Sequence, residues 1–119
     1  MWEGGTSLRE AIMTAFDARE RAFEAKFAHD EALRFRVHAR RDKLLGLWAG
    51  ERLGKSGVPL HDYAMDLVAL ALGRDGEAAL KNKIEDDFAQ AGLPLAEGEL
   101  VKKMTMYLAE AMTQLAQAD

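Results

Sequence analysis

Three groupings in this chain have residue types that could do chemistry. The segment GERLGKS, Gly50 to Ser56, imitates a phosphate-binding loop of the form GxxxxGK[ST], with Lys55 and Ser56 in the roles of cation and hydroxyl. The spacing is one short, because the motif requires glycine where Ala49 stands, and a helical pattern rather than a strand precedes it. Gly54 reads better as the left-handed stop of a helix. The histidines are His29, His38 and His61. His29 and His38 lie about 180° apart on a helix, so they do not share a metal on one face, and no HExxH pair occurs. The bland reading of His29 is a solvated side chain on a charged helix. The run Glu85, Asp86, Asp87 supplies carboxylates, yet neighbours on a helix diverge by about 100° and do not converge on a substrate. Ser7 and Ser56 have no histidine near them in sequence, and there is no cysteine to act as nucleophile, zinc ligand or disulfide partner. The residues thus offer no catalytic, metal or cofactor site, and no enzyme is expected.

Composition directs attention to binding instead. The 119 residues carry a formal charge of −4 and are 49% hydrophobic, enough for one compact domain. An acidic chain is a poor match for nucleic acid, whose phosphates need a net basic face. The exception is local: between Ala32 and Lys43, five basic residues (Arg34, Arg36, Arg40, Arg41, Lys43) stand against Asp42 alone, an excess of +4. Met1 to Ile12 lacks the basic start and apolar run of a signal peptide, and no stretch approaches the roughly 20 apolar residues that span a bilayer. A cytoplasmic location is expected.

The elements that must position these residues are helices. Ala, Leu, Glu, Lys, Arg and Met dominate, only 2 prolines occur, and nothing alternates like a strand. Thr14 to Leu45 contains neither Gly nor Pro, and the apolar run continues to Leu53 before Gly54 stops it. A second helix is predicted over 59–72, with Pro59 in a first helical position and Leu60, Tyr63, Leu67 and Ala71 on one face. Asp75 is placed as N-cap of a third, carrying Leu80, Ile84, Phe88 and Ala91, which Gly92 and Pro94 close. The fourth follows Glu97 and Glu99 and aligns Leu100, Met104, Leu108 and Met112. Gly46 and Gly50, four apart beside Trp48, suit close packing of one helix on another. The fold predicted is all-α: a four-helix bundle whose long first helix has a projecting or flexible N-terminal part.

That helix is too long for its domain. From Phe16 to Leu53 it would run about 57 Å, whereas a globule of this size is about 35 Å across. Leu44, Leu45, Leu47, Trp48 and Leu53 crowd its C-terminal third, so the N-terminal end is the free one. There Phe16, Phe23 and Phe27 form a stripe within about 20°, set among Asp17, Arg19, Glu20, Arg21, Glu24, Lys26, Asp30 and Glu31. Acid-before-base spacings at Asp17–Arg21 and Asp30–Arg34 each add a few tenths of a kcal/mol, marginal support for a segment whose rings need a partner. Periodicity alone leaves open the alternative that the chain bends near Ala28 to Ala32 and docks the rings as core.

The stretch FDARERAFEAKFAHDEALRFRVHARRDKLLGLWAGERLG, Phe16 to Gly54, closely resembles the zeta subunit, or ATPase inhibitor, family of alphaproteobacterial F-type ATP synthases. The residues that carry it include Arg19, Glu20, Phe23, Glu24, Lys26, Phe27, Asp30 and Glu31, then Arg40, Arg41, Lys43 to Gly46, Trp48 and Gly54; Tyr63, Ala64 and the Asp87, Phe88, Ala91, Gly92 segment match more loosely. The resemblance implies a four-helix protein whose N-terminal helix inserts between catalytic and non-catalytic subunits of the synthase's soluble head and blocks ATP hydrolysis. It implies an inhibitory arm over 13–30, with Phe16, Arg19, Glu20, Phe23, Glu24, Lys26, Phe27 and Asp30 in partner contact, a bundle over 31–119, and a leader, 1–12, outside the family pattern and expected to be disordered. Secondary partner contacts fall on Arg34, Arg36, Arg40 and Arg41. No cofactor is expected, weak ATP or ADP binding being suggested only through the family relation. The second helix, with its apolar DLVALALGRDG, departs from a more charged family pattern.

Two rival readings use the same residues. One is a general helical adaptor that binds another protein through the arm. The other is a nucleic-acid recognition helix over Arg34 to Lys43, opposed by the acidic remainder and by Leu33, Phe35 and Val37, which are expected to pack on the bundle.

Overall fold

The computed structural model describes Arg21 and residues 30–118. Among them the chain forms four helices and no strand: α1 (Glu31–Arg52), α2 (Gly57–Ala71), α3 (Gly76–Gln90) and α4 (Glu99–Ala118). The chain divides into two compact units, Met1–Phe35 and Arg36–Asp119, and the second contains the bundle core. The leader 1–12 and the arm residues Phe16, Arg19, Glu20, Phe23, Glu24, Lys26 and Phe27 lie outside the described residues; of the arm, Arg21 and Asp30 lie inside.

All four helices contribute to one apolar cluster. Leu45 and Ala49 come from α1, Tyr63 and Leu67 from α2, Leu80, Ile84 and Phe88 from α3, and Leu100 and Met104 from α4. Leu45, Leu67, Leu80, Ile84 and Phe88 are buried almost completely, each removing apolar surface from water to the extent of about 1.5–3 kcal/mol. The stripes read from spacing pack through these residues, but Ala91, read into the third stripe, is the exposed C-cap of α3, and Leu108 and Met112 of the fourth are only half-buried.

The predicted close approach of α1 to its neighbour occurs at α2. A Cβ on Gly46 would lie 2.7 Å from the Cα of Ala64, and one on Gly50 2.5 Å from a methyl of Leu60. At Gly46 only a missing side chain lets the two backbones come this near, and at Gly50 it makes room for the Leu60 side chain. Trp48, between the glycines in sequence, turns to α3, where its ring centre is 5.7 Å from that of Phe88.

Both predicted glycine stops form hydrogen-bonded caps. At the end of α1 Gly54 adopts φ +84°, its amide donates to Glu51 O, and the Lys55 amide donates to Gly50 O. At the end of α3 Gly92, at φ +70°, repeats this with Ala89 O while Leu93 donates to Phe88 O. These are Schellman closures, which satisfy carbonyls that the helix leaves open.

Three local expectations change. α2 starts at Gly57, so Pro59 is its third residue rather than its first; the position remains free of cost because amides of the first turn have no helical acceptor. Asp75 precedes α3 as predicted but makes no side-chain capping bond. The third concerns the helical signal read without a break from Phe16 to Leu53. Asp30 is not helical: its Oδ1 accepts the Leu33 amide at 3.0 Å and its carbonyl accepts the Arg34 amide at 2.9 Å. A carboxylate that caps in this way does not serve as a helical partner for Arg34. Aspartate favours this position because it accepts an amide that would otherwise lack a partner.

Candidate partner-binding site

The basic run lies on α1, and burial divides it. Arg34 and Arg36 are exposed. Arg40 is half-buried and donates from Nη1 to Gln114 Oε1 of α4 at 2.9 Å. Arg41 is only 6% exposed, and it donates from Nε to Asp42 Oδ1 at 2.9 Å while Nη2 lies at 2.9 Å from the same oxygen. Its Nη1 is 3.9 Å from Glu77 Oε1 in the first turn of α3, a loose pair with an exposed partner. Burial pushes the Asp42 carboxyl above the usual carboxylate range, and the adjacent Arg41 charge opposes that rise. Arg40 and Arg41, grouped in the sequence with the exposed arginines as secondary contacts, are thus held by the bundle, and the run does not present five charges on one face.

Of the three apolar residues in this stretch expected to pack inward, Leu33 and Val37 are buried, but Phe35 is 56% exposed. The periodicity accounts for the difference. Positions 33 and 37 are four apart and share a face, and Phe35 is rotated by about 200° from Leu33. Arg34, Phe35 and Arg36 are three consecutive exposed residues.

Two further clusters hold the bundle and were not legible in the sequence. The Arg52 guanidinium lies 5.8 Å from the Trp48 ring centre and 5.6 Å from that of Phe88, with Nη1 3.6 Å from Glu99 Oε2. Lys103 approaches Trp48 as well, at 5.5 Å; such cation–ring contacts contribute about 0.5–1 kcal/mol each at exposed sites. Tyr63 donates its hydroxyl to Asp87 Oδ2 at 2.8 Å, and Lys83 donates to Oδ1 of the same carboxylate at 3.0 Å. Burial, reinforced by that carboxylate, pushes the Tyr63 phenol well above its ordinary range. Asp87 is therefore a structural anchor, whereas Glu85 and Asp86 are exposed, as expected of a solvated face.

The groupings that suggested chemistry take structural roles. Gly54 and Lys55 close α1, and the Lys55 ammonium lies 5.5 Å from the Tyr63 ring, so GERLGKS is a helix stop. His38 and His61 are on different helices, and His29 lies outside the described residues. Among the described residues no group of three His, Asp or Glu side chains is placed to hold a metal. A groove of about 480 Å³ runs along α3 and the α3–α4 connection, lined by Phe88, Leu93, Leu95 and Leu100, with Lys81 and Glu97 among its few charged residues. No helix among the described residues is long and apolar enough to cross a membrane.

A family model described as ATPase inhibitor subunit zeta matches residues 13–114, well over half of the chain. No curated protein matches significantly.

Proposed function

The chain belongs to the ATPase inhibitor subunit zeta family, and from that membership we propose that it is a regulatory subunit that suppresses ATP hydrolysis by an F-type ATP synthase. Its role is inhibitory rather than catalytic. In this reading residues 13–30 are the arm, which enters as a helix between catalytic and non-catalytic subunits of the soluble head and blocks rotation. Phe16, Phe23 and Phe27 supply the apolar contact, while Arg19, Glu20, Glu24, Lys26 and Asp30 supply its charged edges. The bundle behind it acts as anchor, and the protein works in the cytoplasm beside the membrane-bound synthase.

The family match carries this reading. Local structure supports it at one point: α1 begins at Glu31, directly after the segment assigned to the arm, with Asp30 as its cap. A capped start lets the bundle close its first helix whatever the preceding residues do. Burial of Arg40 and Arg41 also weakens the nucleic-acid alternative, because only Arg34 and Arg36 of the run's arginines remain exposed to meet phosphates.

The test is inhibition of ATP hydrolysis by the isolated head. The full chain is expected to lower the rate, and a chain lacking residues 1–29, which keeps the Asp30 cap, to lose that effect while keeping the far-ultraviolet signature of the bundle. Inhibition that survives the deletion would remove the arm from the mechanism.

A further inference from the structure

α2 is apolar on two sides. Tyr63, Ala64 and Leu67 are buried in the bundle, yet Val58 is 71% exposed, Met65 41% and Leu72, the C-cap, 59%. At 100° per residue Val58, Met65, Leu72 and the exposed Ala69 fall within about 60° of one another, on the side opposite Leu67. Elsewhere among the described residues the large exposed apolar residues do not align: Val101 and Met106 on α4 diverge by about 140°. Apolar residues aligned on the water-facing side of a folded helix suit cover by another protein.

Charge tells what kind. Asp62 and Asp66 run along one edge of the stripe, four apart and both exposed. Among the described residues neither is paired with a base, and α2 contains no Lys or Arg. Like charges at this spacing oppose the helix slightly, and the fold does not offset that with a base of its own. Covering the stripe with a second copy would not help. In an antiparallel two-fold pairing of this face with itself, the two acidic edges lie side by side, and four carboxylates share one seam.

We propose that the outer face of α2 is a second docking surface, which takes an amphipathic helix whose apolar stripe is edged with Lys or Arg. Apolar contact supplies the attraction and the Asp62/Asp66 edge fixes the direction in which the incoming helix lies. The identity of that partner rests on the functional reading above: the helix belongs to the synthase head, and α2 grips it while the arm inhibits.

The test measures binding of the full-length chain to the isolated head at low and high salt, with two double variants. Met65→Gln with Leu72→Gln is expected to weaken binding by about tenfold or more at both salt levels, the loss of two apolar anchors. Asp62→Lys with Asp66→Lys is expected to weaken it by about tenfold at low salt, with a smaller loss at high salt, where surface charges are screened. All four positions are exposed, so melting temperatures should stay within a few degrees of wild type. Wild-type affinity and salt dependence in both variants, with inhibition intact, would overturn this inference alone. Failure of the wild-type chain itself to bind the head contradicts the functional reading, and the choice of partner falls with it. A wild-type dimer in sedimentation that becomes monomeric in the Met65→Gln/Leu72→Gln chain would assign the face to a second copy and equally overturn the proposal.

Discussion

Arg34 and Arg36 share a helix and a basic run with Arg40 and Arg41, but the two pairs have opposite fates. The first pair stands in solvent; the second is held by Gln114, Asp42 and Glu77. Neither residue type nor helix propensity differs between them. Nor does the face differ, since Arg34 lies within about 20° of Arg41 and Arg36 within about 40° of Arg40. What differs is position along the helix: Arg41 is one turn before Leu45 and two before Ala49, both fully buried, so its side chain is carried into the core and must bring a counter-charge with it. A run of like charges on a helix is thus divided along the helix's length, according to what packs beside each turn.

The contrast can be broken most forcefully at Arg41. Arg41→Ala leaves Asp42 buried without its partner and is expected to cost about 3–5 kcal/mol, measured by denaturant unfolding. The loss should be smaller at acid pH. With the opposing guanidinium gone, the Asp42 carboxyl, already raised by burial, rises further, so the folded state holds its proton more tightly than the unfolded chain and stability falls as pH increases through that range. Asp42→Asn in the same background should recover part of the loss.

Gly46→Ala tests the same end of α1 through packing. The added Cβ would sit 2.7 Å from backbone at Ala64, and an expected loss of about 1–3 kcal/mol follows from forcing the helices apart. A smaller effect is expected at Tyr63→Phe, which removes one hydrogen bond to Asp87 for about 0.5–1.5 kcal/mol. Because the phenol is held above its ordinary range, its contribution is complete below about pH 10 and is lost as pH rises beyond that value. The variant should therefore show a shallower fall in stability on the alkaline side. The smallest change belongs to the exposed pair: Arg34→Ala and Arg36→Ala should each move stability by less than about 0.5 kcal/mol. A large loss there would erase the distinction between the two ends.

The helices and their core were readable from the sequence because period and breakers act locally. Leu80, Ile84 and Phe88 recur every four residues, and Gly54 and Gly92 supply positive φ where Schellman closures need it. The start of α1 after Asp30 was harder to read, since no glycine or proline marks it and the four-residue spacing to Arg34 also suits a continuous helix; the bond to Leu33 decides for the cap. Long-range pairings left no local mark. Tyr63 and Asp87 are 24 residues apart, Arg40 and Gln114 are 74 apart, and no spacing rule connects them. The exposed stripe of α2 was visible as apolar text, but its two-sidedness emerged only once Leu67 was seen to face the core and Met65 to face away.

The most direct measurement of the central claim separates arm from bundle within an intact chain. Phe16→Ala, Phe23→Ala and Phe27→Ala are combined in the full-length protein, and inhibition of ATP hydrolysis by the isolated head is titrated alongside thermal unfolding. If the arm carries inhibition, half-inhibition should require at least about a hundredfold more protein, as loss of aromatic anchors at an interface implies, while the melting temperature of the bundle is unchanged. Inhibition at the wild-type concentration by this triple variant would contradict the account.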